Sequence, residues 1–189
     1  YKIYLATDST TSVTLDSSFT YHITNYPNRL QPIQIITLND SIIAISCSGF
    51  QDGINGQVQI WNSERMIYKT SYEFNNQSIP WHLIQSPNSN DLFIVLGGSN
   101  GNGGVACLTY SNNNNEIQLK WENLQDDFMG LHGITVDKAG EYIYVSGRGT
   151  HYLYQFDADT GDLLASIPLG NISLPGGISM MQNTCINCE

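Results

Sequence analysis

Apolar residues in this chain fall in short runs, never at helical spacing over a useful length. Three runs carry the pattern: Glu141-Tyr-Ile-Tyr-Val-Ser-Gly147, Asp91-Leu-Phe-Ile-Val-Leu-Gly97 and Ser41-Ile-Ile-Ala-Ile-Ser-Cys47. Each is rich in β-branched and aromatic residues and is bounded by Gly, Asn, Asp or Ser, which predicts a buried strand. They start at positions 141, 91 and 41, so the pattern steps by fifty. Tyr1-Lys-Ile-Tyr-Leu-Ala-Thr7 reads as a fourth copy.

The flanks repeat as well. Before each strand stands a shorter apolar lead-in: Pro32-Ile-Gln-Ile-Ile-Thr, His82-Leu-Ile-Gln-Ser-Pro and His132-Gly-Ile-Thr-Val-Asp, with a fourth at Gly176-Gly-Ile-Ser-Met-Met181. Turn-forming residues separate lead-in from strand: Leu38-Asn-Asp, Pro87-Asn-Ser-Asn and Asp137-Lys-Ala-Gly. After each strand come a Gly- or Asn-rich link, a third strand (57–61, 105–110, 151–156), a polar turn and a fourth strand (66–72, 116–121, 162–167). The segments 12–15 and 19–24 supply the same tail at the head of the chain.

A unit of four antiparallel strands repeated every 45–50 residues has the period of a β-propeller blade. The expectation is an all-β chain, one propeller domain over residues 1–189, with blades at 30–79, 80–129 and 130–173 and a further blade shared between 1–29 and 174–189. A ring joined by both termini removes open sheet edges and gives four blades; a piece of a larger propeller is the alternative.

Composition narrows the setting. Charged residues make up 13% of the chain, and 17 acidic against 7 basic residues give a net charge of −10. Such a surface repels phosphate backbones and anionic membranes, so nucleic acid is not an expected partner. No apolar run approaches the ~18 residues of a membrane span. The chain starts at Tyr1, and Asn39-Asp-Ser, Asn76-Gln-Ser and Asn171-Ile-Ser match the N-glycosylation pattern. In so Asn- and Ser-rich a chain these matches carry little weight; the missing Met, the low Lys content and the acidity together favour an extracellular, cell-surface or periplasmic protein.

The third repeat carries a family resemblance. Leu131-His-Gly-Ile, the hairpin Asp137-Lys-Ala-Gly-Glu-Tyr-Ile-Tyr-Val-Ser and the exit Asp157-Ala-Asp-Thr-Gly-Asp162 through Ile167-Pro-Leu-Gly170 resemble the YVTN-type propeller repeat, and the lactonase-like and NHL-type propellers related to it. The likeness is close over 130–170, fair over 80–122 and loose over 1–72. It implies the fold but not one activity, because such propellers serve as enzymes, metal sites and cell-surface binding modules.

His82 and His132 are the candidate chemistry. Their fifty-residue spacing puts them at one repeat position, and the first strand of a propeller blade faces the central channel, so their imidazoles are expected to converge there. Neutral imidazoles suit copper or zinc; the competing reading is a consensus residue bonded to the neighbouring blade's backbone. Trp81 would line the same mouth or pack between blades. Arg148 and His151 flank a turn and could share a ligand face. Asp157-Ala-Asp-Thr-Gly161 resembles the opening of a calcium loop but lacks its downstream Glu, so a hairpin turn is expected. Cys185 and Cys188 form a lone C-x-x-C, readable as a local disulfide or as partners for Cys47 or Cys107. No nucleophile elbow or zinc-protease motif occurs. The reading is a binding or assembly module with a protein or carbohydrate partner, or self-association. The alternatives are a copper- or zinc-binding protein and a lactonase-like hydrolase or lyase.

Overall fold

Twelve strands form three consecutive four-stranded antiparallel sheets in the computed structural model, which describes residues 30–49, 54–75, 78–97, 103–170 and 175–179. The first blade holds β1 (Gln31–Asn39), β2 (Ile42–Ser48), β3 (Gln57–Asn62) and β4 (Ile67–Glu73). The second holds β5 (Ile79–Gln85), β6 (Asp91–Gly97), β7 (Gly103–Ser111) and β8 (Glu116–Gln125). The third holds β9 (Leu131–Val136), β10 (Tyr142–Gly147), β11 (Tyr152–Asp157) and β12 (Leu163–Pro168). Within each blade the strands pair in chain order, the up-and-down blade of a β-propeller. The strands expected at 1–24, the shared blade and the closure of the ring lie outside the described residues.

Side-chain alternation explains why the blades stack. On β6 and β7, Leu92, Ile94, Leu96, Ala106 and Leu108 point one way and meet Ile42, Ala44, Val58 and Ile60 of the first blade. Phe93, Val95, Val105 and Cys107 point the other way and meet Ile143, Val145, Tyr154 and Phe156 of the third. A strand buried on both faces has no polar alternation, which is why 91–97 reads as a continuous apolar run. Each fully buried large apolar side chain contributes roughly 1.5–3 kcal/mol.

The hairpin of the first two strands carries the same irregularity in every blade. Two residues of the first strand oppose one of the second: 33–34 face Ser46, 81–82 face Val95, and 132–133 face Ser146. This is a β-bulge, a device that re-aims side chains. The register also corrects the even fifty-residue spacing. Ser46, Val95 and Ser146 are equivalent, so the steps are 49 (46 to 95) and 51 (95 to 146).

The bulge locks neighbouring blades together. Ser46 Oγ accepts the Gln34 N–H at 3.2 Å and donates to the Trp81 carbonyl of the next blade at 2.7 Å. Ser146 Oγ likewise accepts the Gly133 N–H at 2.9 Å and donates to the Gly176 carbonyl at 2.7 Å. Gly176 therefore stands to the third blade as Trp81 stands to the first, and Pro175 falls in line with Pro80 and Pro32. A side chain at Gly133 would collide with the Gly176 carbonyl oxygen, so this position requires glycine. Residues 176–179 of the expected fourth lead-in (176–181) thus lie against the third blade through Gly176, and 180–181 fall outside the described residues.

Candidate functional site at the channel mouth

The bulge residues collect at the ends of β5 and β9. The His82 and His132 rings stand edge to face with centroids 4.8 Å apart and an interplanar angle of 89°. The Trp81 ring lies 5.5 Å from His132 and 6.4 Å from His82. The expected convergence is present, but its stated reason needs correcting. By register His132 corresponds to Trp81, while His82 corresponds to Gly133 and to Gln34. The rings meet because the two bulges are offset by one residue, not because they are copies of one position.

Each imidazole is held by the next blade's backbone. The His132 carbonyl accepts from the His82 ring, and the Gly176 carbonyl accepts from the His132 ring. His82 thereby performs the interblade task that Ser46 and Ser146 perform elsewhere and that Val95 lacks the hydroxyl to perform. Burial, and then the neighbouring His132, hold His82 below the ordinary imidazole pKa, with the His132 carbonyl acting in the opposite direction. Burial, then the Arg148 guanidinium, do the same to His132 against the pull of the Gly176 carbonyl. Neutral imidazoles that each give one N–H to a carbonyl keep a lone pair on the other nitrogen.

Two polar atoms at this mouth are buried without a hydrogen-bond partner: His132 Nδ1 and Trp81 Nε1. One can accept and the other donates, and their rings are neighbours. Trp81 also packs on the core between the second and third blades, which is the packing reading of this residue. Among the described residues, no third His, Cys, Asp or Glu completes a cluster with the pair.

The other candidate residues fall into different places. Arg148 is exposed on the turn from β10 to β11, its N–H bonded to the Gly130 carbonyl at 3.0 Å, and its charge reaches His132. His151 closes that turn with φ +63°, its N–H bonded to the Gly147 carbonyl at 2.8 Å. No ring contact joins His151 to the histidine pair among the contacts described. Asp157 spends Oδ1 on the N–H groups of Asp159 and Thr160, both at 2.9 Å, which is the hairpin-turn reading of the calcium-like segment. That turn docks on the second blade: Asn123 Nδ2 donates to the Gly161 carbonyl at 2.8 Å, and Lys120 Nζ lies 2.8 Å from Asp159. Cys47 and Cys107 are buried free thiols, correcting any pairing expected of them; Cys185 and Cys188 lie outside the described residues.

The orphaned Nδ1 and Nε1 atoms were invisible in the sequence, since a ring's unsatisfied edge depends on what packs around it. The serine fasteners were missed too, although Ser46 and Ser146, one hundred positions apart, were the available signal.

Solved structures similar to this chain are propellers. The β-propeller domain of Cps50 (Swd1) from Myceliophthora thermophila superposes with a TM-score of 0.62 at 14% identity, over 78% of this chain and 44% of that one. A Lactobacillus plantarum protein gives 0.62 at 21% identity, over 74% and 42%. The periplasmic gluconolactonase of Pseudomonas aeruginosa gives 0.61 at 13% identity, over 76% and 43%. The chain therefore has a β-propeller fold and spans less than half the length of these three. No protein-family profile matches it, and no curated protein matches it by sequence. No helix among the described residues is long and apolar enough to cross a membrane.

Proposed function

We propose that the chain is a non-catalytic binding and assembly propeller acting outside the cytoplasm, whose third blade receives a further blade on its open face. One observation carries this reading. Tyr144, Leu153, Gln155 and Ile167 share the face of the third blade that points away from the second. Their register equivalents on β6 and β7, Phe93, Val105 and Cys107, are sealed between blades, whereas Ile167 is 54% exposed. The hydrogen bond from Ser146 Oγ to the Gly176 carbonyl supports the reading, because it docks the chain beyond the third blade against β9. The proposed occupant is a blade of a second copy of this chain, packed as the third packs on the second. Exposed Asn39, at the end of β1, is an available glycan acceptor in an extracytoplasmic setting.

Sedimentation of the 189-residue chain at increasing concentration tests the reading. Self-association that Ile167→Asp abolishes is the expected result; a chain that stays monomeric throughout overturns it. The lactonase alternative rests on likeness of fold, which does not carry activity. Turnover of any lactone or ester in a substrate panel would replace the binding reading with a hydrolytic one.

A further inference from the structure

His82 and His132 share one feature with metal-ligating histidines: each ring is hydrogen-bonded to a backbone carbonyl. A ligating imidazole characteristically donates its other N–H to a carbonyl or carboxylate, which fixes the tautomer and aims the lone pair. Both rings satisfy that condition, through the carbonyls of His132 and Gly176. A purely structural role for His132 leaves Nδ1 buried and unpaired, an arrangement that costs about 1–3 kcal/mol.

The ring separation also discriminates. Zinc stands ~2.0–2.1 Å from an imidazole nitrogen, and the nitrogen is roughly 1.1 Å from the ring centre, so tetrahedral ligation puts two centroids ~5 Å apart and linear ligation ~6.3 Å. The observed centroids are 4.8 Å apart.

We propose that His82 and His132 are the two protein ligands of a zinc or copper ion at the channel mouth, with its remaining positions open to water or a ligand. Imidazole donors suit both metals. Trp81 completes the arrangement: its unpaired Nε1–H donates to a metal-bound oxygen, while the ion takes the lone pair of His132 Nδ1. One hydrated ion thus satisfies both orphaned atoms. Two protein ligands and open positions describe a site that binds a further molecule, not a closed structural site.

The experiment is titration of the purified chain with Zn(II) and, separately, with Cu(II), alongside His82→Gln and His132→Gln. Glutamine keeps an N–H for the neighbouring carbonyl, and Gln34 already stands at the position equivalent to His82. The expected result is one equivalent of Zn(II) or Cu(II) in the parent and more than ~10-fold weaker binding in each variant. X-ray absorption of the metal-loaded parent gives a second readout that needs no variant, with two imidazole nitrogens and no sulfur expected. Binding of neither Zn(II) nor Cu(II) by the parent overturns the proposal. So does binding that both variants leave unchanged, which places the metal elsewhere in the chain, or a sulfur shell, which places it on cysteine.

Discussion

The second and third blades have the same strand order and the same bulge, but they are not equally finished. The second is covered on both faces, so alternate residues of β6 and β7 serve two different cores. The third is covered only on the side carrying Ile143, Val145, Tyr154 and Phe156. Its other face holds larger and more polar side chains, and its β12 carries exposed Leu164 and Ile167. Blade stability in a repeat architecture is mostly an interface property, set by what stacks against each unit. Among the described residues, the difference between the two blades is therefore in what covers them and not in the sheet itself.

Phe93 and Tyr144 are register equivalents on those two faces, the first 2% exposed and the second half-buried. Phe93→Ala should cost about 3–5 kcal/mol in urea denaturation, and Tyr144→Ala less than ~1.5 kcal/mol. Equal losses would mean that the third blade is already covered and would break the comparison.

The serine fasteners give a smaller effect. Ser46→Ala and Ser146→Ala each strand a backbone N–H, that of Gln34 or of Gly133, and free a carbonyl in the adjoining segment, so each should cost about 1–2 kcal/mol. A cost at Ser146 matching that at Ser46 indicates that the 175–179 segment is docked as firmly as the second blade. A negligible cost at Ser146 alone indicates that it is not.

The smallest effect is a null. Burial pushes the thiols of Cys47 and Cys107 up to about 12. At pH 8 the thiolate fraction is then ~10⁻⁴, and neither should react with iodoacetamide until the chain unfolds. Alkylation of Cys47 in the folded protein would show that the first blade's outer face opens.

Much of this was legible in the sequence because burial on both sides of a sheet leaves a mark. The runs at 41–47, 91–97 and 141–147 are apolar without alternation, and Asp137 and Asp157 sit where turns need a side-chain acceptor. The sequence expected the two histidines to meet as copies of one position, but they meet through a one-residue offset. The register did not follow. The first blade's hairpin is one residue shorter than the others (34 to 46 against 82 to 95 and 133 to 146), the links after β6 and β10 differ in length, and letters fifty apart align whether or not their backbones do.

By itself the sequence determined the repeat and the four strands of each unit, because strand and turn preferences are local. Only the tertiary structure decided which atoms beside the histidine pair go unpaired and which face is left exposed among the described residues. Both depend on what the adjoining segment supplies: a carbonyl for each imidazole, nothing for Trp81 Nε1, and exposure at Ile167.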